Sequence, residues 1–181
     1  MSTKVPARGL YWLVMDDSSI EDFEAFFRRM LPRAVRLAER VTSDHEAAED
    51  AAVEAFALAH SRWKRVAPLP WRDAWLLKVC LHKAFRQRPR RVVGIDNETT
   101  VDVAEAVVLR QALLAALVRL PRRQRDAVAL RYLADMSEAE IAQAMSISQG
   151  SVKTHLHRAL RSLRSGAEEL FKEVPNGHEF A

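Results

Sequence analysis

Three pairs of a serine and a glutamate three residues on each stand ahead of an apolar stripe at helical spacing: Ser18-x-x-Glu21, Ser43-x-x-Glu46 and Ser137-x-x-Glu140. In such a capping box the serine oxygen accepts from a first-turn amide while the glutamate reaches back to the serine's own N–H, so each pair predicts a helix start. After the first box, Phe23, Phe26, Phe27 and Met30 share a face, and Ala34, Leu37, Ala38 and Val41 continue it to about Thr42, with Pro32 expected to break or kink the helix. After the second, the spacing puts Ala48, Ala52, Val53, Phe56 and Ala57 inward and lays Glu46, Glu49, Asp50 and Glu54 along an acidic outer face. Residues 63–70, with two prolines, read as a loop; Pro70 suits the first turn of a helix marked by Trp71, Trp75, Leu76, Val79 and Phe85 and running to about Arg88.

Residues 89–104 read as a linker, with Pro89, Gly94 and a polar run from Asp96 to Thr100. Helical pattern resumes from Ala106 to Leu117, Leu120-Pro121 punctuates it, and Arg122 to Leu133 form a further helix with Ala127, Val128, Leu130 and Tyr132 apolar. No segment alternates with the period of a strand, and no 20–50-residue repeat occurs. Only 5 Gly and 7 Pro in 181 residues agree with an all-α fold, and the length allows two small helical domains.

Other classes are excluded in turn. One cysteine, Cys80, permits neither a disulfide framework nor a cysteine-based zinc site. No apolar run approaches the 18 residues of a membrane span, so no membrane insertion is expected. Acidic Asp16-Asp17 after Leu10–Met15, with no cleavage-like site, argues against a signal peptide and for a cytoplasmic protein. His155 and His157 are two apart on a helix and point in different directions, which disfavours a metal site. No catalytic motif, phosphate loop or cofactor box is present, so no catalytic residue, metal or cofactor is expected and the chain does not read as an enzyme. Charge is segregated. Residues 1–91 hold 17 basic and 12 acidic side chains, 92–109 hold 4 acidic and none basic, 110–166 hold 10 basic and 4 acidic, and 167–181 hold 1 basic and 4 acidic. Two basic blocks separated by an acidic strip suggest two modules that each face a polyanion.

The third box opens the most informative stretch. A short helix carries Ile141, Ala142 and Met145 inward, Ser146-Ile147-Ser148 make a tight turn, and a second helix carries Val152, Leu156, Ala159/Leu160 and Leu163. Its polar face holds Gln149, Ser151, Lys153, Thr154, His155 and Arg158, and residues 146–164 contain no acidic side chain. This is a helix-turn-helix pattern, with the second helix suited to the DNA major groove; an ordinary helical hairpin is the plainer alternative.

Leu120-Pro-Arg-Arg-Gln-Arg-Asp-Ala-Val-Ala-Leu-Arg-Tyr-Leu133, Met136-Ser-Glu-Ala-Glu-Ile-Ala142 and Gly150-Ser-Val-Lys-Thr-His-Leu-His-Arg-Ala-Leu-Arg-Ser-Leu-Arg164 closely resemble the promoter −35-binding domain of sigma-70 family RNA polymerase sigma factors, of the extracytoplasmic-function subfamily. The same stretch is also similar to the output domain of LuxR-type regulators. The N-terminal half resembles sigma domain 2 in order: Phe23-x-x-Phe-Phe27, Ala38-Glu-Arg-Val41, Ala48-Glu-Asp50, Glu54-Ala-Phe56, Trp75-Leu-Leu77 and the basic run Lys83 to Arg91. The resemblance covers about residues 20–165. It implies an N-terminal extension over 1–19, a domain-2-like unit over 20–90, a linker over 91–105, a domain-4-like helix-turn-helix over 106–166 and a tail over 167–181.

The resemblance also implies partners: core RNA polymerase, promoter DNA, and an anti-sigma factor as a regulator. Polymerase contacts map to Glu49, Asp50, Val53, Glu54 and Phe56. Capture of the −10 element maps to Trp63, Lys64, Arg65, Trp71, His82, Lys83 and Arg86, where rings and guanidinium planes stack on splayed bases. The −35 contacts map to Ser148, Gln149, Ser151, Lys153, Thr154, His155 and Arg158. The chain departs from the family pattern at several places: Val53 stands for Gln, His82 for Asn, Arg86 for Asp, and Ser146 for a turn Gly, which predicts φ > 0 at a serine. His155 stands for Arg. A LuxR-like regulator, or a polymerase-binding protein that does not direct initiation, are the alternatives.

Overall fold

The computed structural model describes residues 17–87 and 101–173. Within them the chain forms eight helices and no strand: α1 (Asp17–Thr42), α2 (His45–Ser61), α3 (Trp63–Val66), α4 (Arg72–Gln87), α5 (Val101–Arg119), α6 (Arg122–Tyr132), α7 (Glu138–Met145) and α8 (Gln149–Glu173). Helices α1–α4 form one compact unit and α5–α8 another, with the division between Gln87 and Arg88. The apolar Leu10–Met15 segment and the first half of the acidic strip lie outside the described residues.

In the first unit α1 supplies the longest stripe. Phe26, Met30, Ala34, Leu37, Ala38 and Val41 are buried against α2 and α4. Pro32 does not break α1, which runs as one helix through it, and the first turn takes in Ser18, which is therefore not the cap residue. Pro32 removes one hydrogen bond to the carbonyl of Arg28, but its ring is exposed and the buried stripe continues on both sides of it. The second box also differs. Ser43 has φ 58° and donates its N–H to the Glu39 carbonyl at 3.0 Å, closing α1 in a left-handed cap. The α2 cap is the next residue: Asp44 accepts from the Ala47 N–H at 2.9 Å. Thr42, buried between the helices, donates to the Ala38 carbonyl at 3.1 Å.

α2 packs its smallest side chains inward: Ala48, Ala51, Ala52, Ala55 and Ala59, with Phe56. Alanines let the helix axes approach closely. The burial stripe is thereby rotated from the expected one, and Val53 and Ala57 face outward. Residues 63–66, expected as loop, form the short helix α3. Its Trp63 is only 2% exposed and lies 5.0 Å from Phe23 and 5.1 Å from Phe26 between ring centroids.

The second unit is built on Leu114, Leu117 and Leu120 with Val128, Leu130, Met136, Ile141, Met145, Val152, Leu156 and Ala159. α5 begins at Val101, inside the expected linker, and α8 runs to Glu173, into the expected tail. Here the capping box is as expected. Ser137 accepts from the Glu140 N–H at 3.3 Å, and the Ser137 N–H donates to the Glu140 carboxylate at 2.8 Å.

Candidate nucleic-acid and protein interfaces

The helix-turn-helix rests on one strained residue. Ser146 ends α7 at φ 55°, ψ 51°, the left-handed region. Its N–H reaches the Gln143 carbonyl at 3.2 Å and the Ile147 N–H reaches the Ala142 carbonyl at 3.0 Å, the paired bonds of a Schellman motif. The serine thus takes the conformation a glycine would adopt more cheaply, as its place in the turn predicts. Ser148 then caps α8, accepting from the Ser151 N–H at 3.1 Å. The turn is three residues, 146–148, as expected.

On α8, Val152, Leu156 and Ala159 point inward, whereas Leu160 is 42% exposed, so the burial stripe follows Ala159. Gln149, Lys153, Thr154 and Arg158 are exposed, as a groove-reading face requires, and Ser151 is half-buried. His155, expected on that face, is half-buried instead, and its Nδ1 is enclosed with no hydrogen-bond partner. It sits on the flank of the face. Two residues outside the expected −35 contact set extend it: His157 and Arg161 are exposed one turn apart, and the Arg161 guanidinium lies 2.9 Å from His157 Nε2. A guanidinium only donates, so in this contact His157 Nε2 is the acceptor. The i, i+4 spacing from Lys153 through His157 to Arg161 was the signal that finds them. Lys153 Nζ is 3.8 Å from Glu138 on α7, which steadies the lysine at the groove side.

The first unit presents two further surfaces. Along α2, Glu46, Glu49, Asp50, Val53 and Glu54 are exposed, with Val53 at 56%. Phe56, expected at this surface, is buried core instead, edge-on to Phe27 at 4.7 Å. His45 sits at the head of α2 between Glu39 at 2.6 Å and Glu49 at 3.3 Å; the bond to Glu39, with Glu49 beside it, raises its pKa above the ordinary 6.5. Along α3 and α4, Lys64, Arg65 and Arg86 are exposed, and Trp71, His82 and Lys83 are half-buried. Trp63 is the correction on this surface. Wedged between Phe23 and Phe26, it has no free face for a base, and sequence spacing could not show this because the aromatic belongs to a helix read as loop.

One contact joins the two surfaces. Lys83 Nζ donates to Glu54 Oε2, and Gln87 Nε2 donates to Glu54 Oε1 at 2.9 Å. The Lys83 bond first, with the bond from Gln87 and the charge of Arg86, holds the Glu54 carboxyl below its ordinary range. Gln87 too was absent from the sequence reading.

An all-helical unit with an acidic outer helix, in one chain with a helix-turn-helix whose second helix presents an acid-free polar face, defines a two-part transcription factor. Residues 110–163 match the family model for Sigma-70, region 4. The RNA polymerase sigma-E factor of Streptomyces avermitilis is 31% identical over 160 residues, covering 85% of this chain and 89% of that protein. The ECF RNA polymerase sigma factor SigL of Mycobacterium tuberculosis is 31% identical over 147 residues, covering 75% and 82%. The sigma factor RpoE of Bartonella quintana, crystallised with the anti-sigma factor NepR, superposes with a TM-score of 0.53 at 20% identity, over 82% of this chain and 98% of that one, and shares its fold. The chain belongs to the ECF sigma factors of RNA polymerase. Because the likeness to the relatives runs through the N-terminal half, a LuxR-type regulator is set aside. No helix among the described residues is long and apolar enough to cross a membrane.

Proposed function

We infer that this sigma factor binds core RNA polymerase through the exposed acidic face of α2 and directs it to promoters whose −10 and −35 elements are read by the two units separately. Glu46, Glu49, Asp50, Val53 and Glu54 form the polymerase surface. Lys64, Arg65, Trp71, His82, Lys83 and Arg86 meet the −10 strand, where basic side chains track phosphates and the half-buried indole of Trp71 offers a stacking plane. Lys153, Thr154, Arg158 and, by extension, His157 and Arg161 face the −35 duplex, with Ser148, Gln149 and Ser151 at the entry of α8 and His155 at the flank. The chain is an initiation factor acting where RNA polymerase acts, in the cytoplasm, and not a catalyst; it needs no metal or cofactor. An anti-sigma factor is a further partner on this reading.

The observation that carries the reading is the left-handed Ser146 turn, which sets α8 with an exposed, acid-free face bearing Lys153, Thr154, His157, Arg158 and Arg161. A guanidinium on such a face reads guanine through O6 and N7, and a lysine placed on phosphate reads no sequence. Selection from randomised −35 duplexes tests it. Arg158→Ala should cost about 1–3 kcal/mol at one base position and relax the preference there. Lys153→Ala should weaken all sequences alike and lower the salt slope by about one. Unchanged selection by both variants would contradict the assignment of α8.

A further inference from the structure

The contact between Glu54 and α4 joins two surfaces that the proposed function gives to different partners. We propose that Glu54 serves these partners in turn. In the free protein its carboxylate holds Lys83 and Gln87, and on core polymerase it is surrendered to a cation of that enzyme, releasing Lys83 and Gln87 to promoter DNA. This rests on the reading of the acidic α2 face as the polymerase surface.

The geometry sets both sides of the exchange. Each oxygen of Glu54 is engaged by a separate donor on α4, and the two donors lie one helical turn apart. Among the four acidic residues of the α2 face, Glu54 is the one tied across to α4. Lys83 is drawn down onto it, its side chain 26% exposed, while the Glu54 side chain remains 50% exposed and open to approach from solvent. A lysine neutralising a carboxylate is a weakened partner for phosphate, and a carboxylate neutralised by a lysine is a weakened partner for an arriving guanidinium. Each surface is therefore damped in the free protein. Removing Glu54 from the pair leaves Lys83 beside Arg86 as uncompensated cations, and frees the Gln87 amide N–H, whose carbonyl oxygen is enclosed, to donate to a base edge. The pair is partly exposed, so its strength is that of a surface ion pair and the exchange shifts affinities by no more than about fivefold. That suits a contact that must be exchanged.

The test measures the affinity of the full chain for core polymerase by fluorescence, and for a single-stranded −10 oligonucleotide without polymerase, in wild type and in Lys83→Met, Glu54→Gln, Asp50→Lys and the Glu54→Gln/Lys83→Met pair. Lys83→Met should tighten core binding about two- to fivefold, because Glu54 then keeps only the neutral Gln87 donor and its charge is no longer neutralised, and should do nothing when Glu54 is also Gln. Glu54→Gln should weaken core binding yet tighten oligonucleotide binding by a similar factor. If Asp50→Lys abolishes core binding while Lys83→Met leaves it unchanged, the exchange is overturned and the polymerase surface stands. If neither Asp50→Lys nor Glu54→Gln alters core binding, the polymerase surface and the exchange fall together.

Discussion

Arg29 on α1 grips both carboxylate oxygens of Asp73 on α4, at 2.6 and 2.8 Å, across 44 residues of sequence. The same guanidinium stacks over the Phe26 ring with its carbon 5.6 Å from the centroid, and Arg72 does likewise at 5.7 Å. The bidentate bond lowers the Asp73 pKa from 3.8 and raises that of Arg29, with the hydrogen bond the leading cause in both. A lowered carboxyl pKa stabilises the folded state in full above the unfolded value, and the gain is lost as pH falls through the folded value. Asp73→Asn should therefore cost about 0.5–1 kcal/mol at neutral pH, a figure kept small by solvent screening, and the difference from wild type should close below about pH 3.8. Urea melts at neutral and at acid pH read both.

Ser146→Gly should stabilise the second unit by about 0.5–1 kcal/mol, because glycine takes φ 55° without the steric cost of a Cβ, less what it loses in unfolded-chain entropy. A β-branched valine at the same place should destabilise. Thermal melts of the full chain with both variants check the sign of each effect.

Ser137→Ala removes the oxygen that caps α7 and strands the reciprocal Glu140 bond, at a cost of about 1 kcal/mol. Ser137→Gly should cost less. Hydrogen exchange at the amides of α7 would register the loss, and equal protection in all three proteins would show that the box contributes nothing.

Trp63→Phe should preserve both folding and −10 recognition. The indole Nε1 is buried with no partner, so phenylalanine deletes an unsatisfied N–H along with some packing area. Trp63→Ala should cost about 3–5 kcal/mol through the cavity left beside Phe23 and Phe26. A Trp63→Phe protein that folds normally yet loses −10 binding would return this residue to the DNA surface.

How legible was this in the sequence? The third capping box, the turn at 146–148 and the inward Val152 and Leu156 were readable because local chemistry decides them: one cap, one left-handed residue and one heptad-like stripe. The second box failed because two cap-forming residues, Ser43 and Asp44, stand side by side, and the closing of α1 claimed the serine. The rotation of α2 was hidden for another reason. Alanines outnumber the large side chains there, and close helix packing, a tertiary matter, selected Ala51, Ala55 and Ala59 over Val53. The Glu54–Lys83 pair lies 29 residues apart in sequence, beyond any local pattern, and so did not appear among the expectations.

The central claim is that one chain both engages core polymerase and selects promoters, and in vitro transcription tests it most directly. Purified protein added to core polymerase on a library of promoter fragments should yield discrete transcription starts, each with a shared −10 and −35 element. Arg158→Ala should change the −35 preference of those starts, and Asp50→Lys should abolish them without altering the melting of the free protein. Stable association with core polymerase but no protein-dependent starts would contradict the claim and leave a polymerase-binding protein that does not direct initiation.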